Sequence, residues 1–484
     1  MDFADMIMGR STCYINGDWV IADSGRTMDV ENPSSLEVLG QVPDCGGEET
    51  SRAIEAACAA WQNWRQRTAL ERCSLIMDFY GLVLDHEDEL ARLMTLEQGK
   101  PLGESRKEIR SGAEYLRWFA EEGRRAYGKI IPSPWREKRI LVSREPVGVV
   151  GIITPWNFPA GMICRKAGPA LAVGCPVVIK PASQTPFSAL ALAELSQQAR
   201  IPKGVFNVVT GSPVKIGAEL TSNPKVRKVS FTGSTRVGKK LLQQCSGTVK
   251  KISLELGGNA PFLIFEDADL ELAIEGSIKS KFRNAGQTCI CANRFLVQAE
   301  IYDVFLAKFS KAVSKLQPGD GLNEGSDLGP LIDEAAVSHV ENQVADAVQR
   351  GGRLLIGGQR HSLGGNFYQP TVIADIRPKM LLFKEETFGP LAPVVKFETE
   401  DQAIAMANNT EYGLAGYVYT RDLGRAWRIS EALEFGLVGV NDSLISTCEA
   451  PFGGIKESGF GREGSCYGLE DYTVLKYTCM AGMG

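Results

Sequence analysis

Two cysteines one residue apart, Cys289 and Cys291, stand behind an Arg-Asn-Ala-Gly-Gln-Thr lead-in within "KFRNAGQTCICANR", residues 281 to 294. Such a pair can bind a metal, close a disulfide, or supply a nucleophile with a neighbour. A structural zinc takes about four ligands, usually in pairs, and no second Cys or Cys/His pair lies near, so no metal is expected. The three histidines, His86, His339 and His361, sit among polar neighbours and read as surface residues. A cysteine protease needs a histidine as base and acid, and none lies in a motif-like segment. Any base for a thiol here is therefore a carboxylate or a lysine.

"SLELGGNAPF" offers a carboxylate. Glu255 ends the apolar run "KISLEL" before Gly257-Gly258, where desolvation would raise its pKa toward the range useful to a general base; the plain alternative is a strand-terminal surface glutamate. Asn157, in the Pro-bounded turn "ITPWNFP", has a side-chain NH2 that can donate to an oxyanion, or it simply forms the turn. Lys180 ends the strand of "VVIKPASQTP", where a cation can reach ribose or phosphate oxygens, although a lysine there is often only a solvated charge. "VSFTGSTRVGKK" ends a strand at Thr232 and opens a helix at Gly233-Ser234, a place where backbone amides and the helix dipole can hold a pyrophosphate. "GFGREG", from Gly459 to Gly464, fits a dinucleotide fingerprint only by spelling, because no strand precedes it.

These residues need a scaffold that brings distant strand ends together. From Glu48 to Tyr127 apolar residues recur at three and four spacing, a helical pattern. From Val147 to Leu256 short β-branched runs alternate with helix-length segments, which implies right-handed crossovers and a buried parallel sheet. A second α/β stretch runs from about Pro261 to Val440, with candidate strands "APFLIF", "NRFLVQ", "LAPVVKF" and "LAGYVYT". The fold class is α/β with a doubly wound sheet. A chain of 484 residues exceeds what one core usually supports.

Composition excludes several partners. With 44% hydrophobic and 23% charged residues and a net charge of -5, the chain carries no basic excess for nucleic acid. It holds no apolar run long enough to span a membrane, and its start, "MDFADMIMGR", lacks the basic and apolar regions of a signal peptide. Twelve cysteines scattered from Cys13 to Cys479 fit a reducing compartment, so a cytoplasmic location is expected.

Seven motifs in order, "ITPWNFP", "VVIKPASQTP", "FTGST", "LELGGNAP", "FRNAGQTC", "KEETFGP" and "PFGGIKESGFGREG", resemble the aldehyde dehydrogenase superfamily. "FRNAGQTCICANR", "CRKAGPAL", "GPLID" and "GLEDYTVLKYTC" are most similar to its succinate-semialdehyde branch and the related glutarate-semialdehyde enzymes. The resemblance implies a Rossmann-type NAD(P)-binding domain over 1–126 and 146–254, an α/β catalytic domain over 255–458, and a β oligomerisation arm over 127–145 and 466–484. A homodimer or homotetramer is implied with it.

The resemblance also assigns roles. Cys289 falls on the nucleophile, Asn157 on the oxyanion donor, and Glu255 on the base that hydrolyses the thioester, which disfavours transfer to coenzyme A. Lys180 and Glu386 match the ribose-holding residues, Gly233 and Ser234 meet the pyrophosphate, Phe388 flanks the nicotinamide, and Trp156 lines the same cleft. Ser183 stands where NAD-preferring relatives place a glutamate, so NADP is expected, with NAD also accepted. Arg165, Arg283 and Ser446 fall where semialdehyde-oxidising relatives hold the substrate's distal carboxylate; for Arg165 the alternative is a salt bridge with a neighbouring acid. Cys291 resembles a redox neighbour of the nucleophile, or is a small buried hydrophobe. The expected reaction is oxidation of succinate semialdehyde to succinate, with glutarate semialdehyde, another acid-bearing aldehyde, or broad aldehyde specificity as alternatives. Ser443, in "VNDSLISTCEAPFGG", is expected to narrow or reshape the substrate pocket.

Overall fold

The computed structural model describes residues 3–482. Five parallel strands form the centre of an eight-stranded sheet: in spatial order Lys251–Glu255, Val226–Thr232, Val149–Ile153, Val177–Lys180 and Phe206–Val208. Their chain order reverses between Val149–Ile153 and Val226–Thr232. At such a reversal the connecting helices leave on opposite faces and open a crevice at the strands' carboxyl ends. Residues 154 to 157, Gly233-Ser234 and Glu255 all lie at that edge.

The helical pattern from Glu48 to Tyr127 corresponds to the helices between Gly47 and Glu122, the first of which packs on this sheet, while Cys13–Ile15 and Asp18–Val20 extend its edge. The run from Glu71 to Lys100 that reads as one periodic segment is two helices, Ala69–Asp85 and Glu87–Gln98, joined at His86, which closes one and opens the other. His86 is half-buried, its ring stacked on Phe3 at 4.7 Å.

A second sheet of seven strands has the spatial order Arg353–Ile356, Thr371–Ala374, Leu391–Phe397, Ala292–Gln298, Ala260–Ile264, Ala415–Tyr419 and Leu437–Val440. All its neighbours are parallel except the first pair. Its inner strands are buried on both faces, as a parallel sheet with helices on each side requires. The end strands Arg353–Ile356 and Leu437–Val440 are short and partly exposed, and the sequence pattern does not mark them.

Apart from both cores, Thr473–Met480 pairs with Arg139–Pro146, which pairs with Lys129–Ile131, in an antiparallel three-stranded sheet. Ile130, Leu475 and Tyr477 on it are exposed. Among the described residues no helix is long and apolar enough to cross a membrane.

Candidate active site

The segment that carries Cys289 is bent sharply. After the helix Leu270–Phe282, Asn284, Ala285 and Gly286 take positive φ values of 50°, 53° and 77° in succession. Such a run is costly for an alanine. The bend is held by Gln287, whose Nε2 donates to the Asn284 and Pro330 carbonyls and whose Oε1 accepts the Ile332 amide at 2.9 Å. A Cβ on Gly286 would lie 2.1 Å from the Gly389 carbonyl oxygen, so no side chain fits there. Beneath the bend the buried Lys281 donates to Thr387 Oγ1 at 2.5 Å and lies 3.6 Å from Cys291 Sγ. Cys291 itself is buried and reaches the Gly286 carbonyl at 3.3 Å.

Cys289 is half-buried and faces a cavity of about 400 Å³. Surrounded by protein, the thiol is pushed up to about 12 by burial, with Glu386 adding and Arg165 opposing. Glu255 is 4% exposed, and neither of its carboxylate oxygens has a hydrogen-bond partner. Burial first and the Glu463 carboxylate second hold its proton well above the ordinary range, against Lys166, Arg165 and Arg462. Asn157 Nδ2 donates to the Gln287 carbonyl at 2.9 Å, which fixes the amide and leaves its second N–H free. Its own carbonyl accepts from Lys100 Nζ at 2.6 Å.

The same cavity is lined by Arg165, Arg283 and Ser446. Arg165 is buried and contacts Glu463 at 3.0 Å without hydrogen-bond alignment, so the salt-bridge alternative describes its surroundings. Its guanidinium also lies 4.0 Å from the Phe452 ring centre. Arg283 is half-buried, with a buried Nε that has no partner and a guanidinium 5.7 Å from the Phe158 ring. Ser446 stands at the mouth beside the Tyr115 hydroxyl. Ser443 does not narrow the pocket: it is buried against the Tyr419 hydroxyl, and Leu444 and Ser446 face the cavity instead.

Glu463 is the residue that sequence reasoning passed over. It sits inside the string "GFGREG", which opens no helix; Gly459–Phe460 instead pairs antiparallel with Lys251–Glu255. There Glu463 joins Lys166 and Arg165 in one buried ionic cluster beside Glu255.

At the sheet reversal the residues suit a dinucleotide. Lys180 is 5% exposed with no carboxylate partner, and burial lowers its pKa to about 8; its Nζ lies 3.5 Å from Ser183 Oγ. Such a buried, unpaired cation calls for an anionic or hydroxyl ligand. Ser234 caps the helix Thr235–Cys245 through Val237 N, and the preceding Gly233 has no room for a side chain, since a Cβ there would lie 2.4 Å from the Phe231 ring. Across the crevice Glu386 accepts the Gly258 amide at 3.0 Å, and burial raises it to about 7. Trp156 and Phe388 meet edge to face at 5.5 Å and 87°, with Phe388 at a positive φ of 43°. A nicotinamide dinucleotide held by these residues would supply a hydride acceptor.

A family model described as the aldehyde dehydrogenase family matches residues 19–478. The chain is 57% identical to the succinate-semialdehyde dehydrogenase (NADP(+)) of Escherichia coli over 480 residues, covering 99% of this chain and 100% of that one. It is 55% identical to the glutarate-semialdehyde dehydrogenase of Pseudomonas aeruginosa, covering both chains completely. The crystal structure of succinate-semialdehyde dehydrogenase from Burkholderia pseudomallei superposes with a TM-score of 0.97 at 56% identity, covering 98% of each chain.

Proposed function

The chain belongs to the aldehyde dehydrogenase family, and from that premise we propose that it oxidises succinate semialdehyde to succinate with NADP, glutarate semialdehyde being the second substrate. The observation that carries the reading is the cavity itself, in which Cys289 and the two arginines Arg165 and Arg283 line one lumen. A distal carboxylate taken out of water needs a cation with directed donors, and Arg283 has a buried N–H without a partner.

The steps follow from the groups present. As substrate enters, Cys289 passes its proton to solvent or to the ionised form of the unpaired Glu255 carboxylate, leaving a thiolate. The thiolate attacks the aldehyde carbon, and the free N–H of Asn157 with the backbone amide of Cys289 receives the oxyanion. Once hydride has left, Glu255 takes a proton from water, and the hydroxide so formed cleaves the thioester. Lys180 and Glu386 hold the two riboses, Gly233 and Ser234 the pyrophosphate, and Trp156 and Phe388 flank the nicotinamide. Ser183 carries no charge to repel a 2'-phosphate, which supports NADP use with NAD as a weaker alternative. Cys291 acts as redox neighbour of the nucleophile; if peroxide inactivates Cys291→Ser as reversibly as wild type, that role falls.

The parent assembly is a homodimer or homotetramer joined through the three-stranded sheet, supported by the exposed Ile130, Leu475 and Tyr477. On this reading the chain divides into a cofactor domain over 1–126 and 146–254, a catalytic domain over 255–458 and an arm over 127–145 and 466–484, a division that the presence of two large sheets and a third small one supports. Twelve free thiols support a cytoplasmic home.

The direct test is product analysis. Enzyme, succinate semialdehyde and NADP should yield one succinate per NADPH, unchanged by added coenzyme A; an acyl-coenzyme A product would overturn the hydrolytic reading.

A further inference from the structure

Of the two arginines in the cavity, Arg165 is already in contact with Glu463, whereas Arg283 makes no ion pair within 4 Å among the described residues. A third charged group stands next to it. Glu104 lines the same cavity, and its Oε2 accepts the amide of Asn284, the residue after Arg283, at 2.8 Å. The other buried cation nearby, Lys100, is engaged at 2.6 Å both by Glu108 and by the Asn157 carbonyl. Glu104 thus faces Arg283 together with Lys100 and Lys107, and its hydrogen bond lies at the head of the strained Asn284–Gly286 bend. Burial raises its carboxyl, and Lys100 and Arg283 draw it back down.

We propose that Glu104 is a specificity-determining residue: its carboxylate opposes Arg283, so that the cavity accepts aldehydes with one negative charge and discriminates against those with two. The inference deepens the semialdehyde reading and rests on it. A carboxylate beside Arg283, the cavity arginine without an ion pair among the described residues, repels an incoming anion at short range in a poorly solvated space. The repulsion doubles for a dianion, while Arg283 makes one paired contact with the acidic head group of either. Glu104 also has a structural share, through Asn284, in the bend that carries Cys289. Charge and hydrogen bond are separable, because a glutamine keeps an oxygen for the Asn284 amide.

The test compares ratios of kcat/KM, so that any general loss of folding or rate cancels. For wild type and Glu104→Gln, kcat/KM is measured for succinate semialdehyde, for an aldehyde of equal length ending in a phosphonate, and for an uncharged aldehyde. In Glu104→Gln the monoanion-to-neutral ratio should rise about three- to tenfold and the dianion-to-neutral ratio several-fold more. Glu104→Ala, which also drops the Asn284 bond, should show the same rise at lower absolute rates, and in an Arg283→Ala background a rise in the same direction should persist, because the repulsion acts between Glu104 and the substrate. Equal ratios in wild type and both Glu104 variants overturn the proposal and leave Glu104 as a support for the bend. If wild type itself does not favour the monoanion over the neutral aldehyde, it is the semialdehyde reading that fails.

Discussion

A carboxylate buried with both oxygens unbonded, like Glu255, keeps its proton until pH climbs well past the ordinary carboxyl range. Hydrolysis of the thioester needs the deprotonated form, so the deacylation rate should rise with pH and level off only above the group's raised pKa. Glu255→Gln should show one rapid equivalent of NADPH per site followed by turnover slowed by about a thousandfold or more, with that pH rise gone. Continued steady turnover in the variant would assign the base elsewhere. The sequence makes Cys289, Glu255, Asn157 and Lys180 legible because each lies in a local motif whose spacing carries meaning. It hides Glu463 and Glu104, because their significance lies in partners far along the chain: Lys166 is 297 residues from Glu463, and Asn284 is 180 from Glu104. Arg165 shows the same limit, since a line of sequence does not say whether a guanidinium is already matched.

At the level of elements, the bend before Cys289 is the most constrained part of the site. Gly286→Ala combines a positive φ of 77° with a Cβ 2.1 Å from a carbonyl oxygen. It should cut kcat about a hundredfold or more while circular dichroism stays native; near-normal kcat would mean that the bend yields without moving the thiol. A second junction joins helices. Glu97, near the end of Glu87–Gln98, accepts the amides of Phe187 and Ser188 at 2.7 and 2.8 Å and so caps the helix Phe187–Gln198. Burial raises its pKa to about 8. An acid with a native pKa above its unfolded value binds an extra proton when folded, so the stability it contributes declines as pH rises from the carboxyl range through about 8. The Tm of wild type should therefore fall more than that of Glu97→Gln between roughly pH 5 and 8.5; parallel curves would contradict the assignment. Element types in the two sheets were readable from β-branched runs, while the break at His86 was not, because the helical period continues across it.

On the scale of the whole molecule, the inner strands of the two larger sheets are buried, whereas the three-stranded sheet exposes apolar side chains on both faces, Leu475 and Tyr477 on one and Ile130 on the other. That contrast supports assembly through the third sheet. Leu475→Glu combined with Ile130→Lys should reduce the mass found by light scattering to that of a single chain. An unchanged mass would move the interface elsewhere. The central claim is that a carboxylate-bearing aldehyde is read by Arg283 in the lumen that holds Cys289. The measurement that tests it most directly is kcat/KM for succinate semialdehyde, glutarate semialdehyde and an uncharged aldehyde of similar length, in wild type and Arg283→Ala, with NADP. The account predicts that wild type favours the acids by on the order of a hundredfold and that Arg283→Ala removes the gap. An uncharged aldehyde oxidised as well as the acids, or a preference that survives in Arg283→Ala, would contradict it.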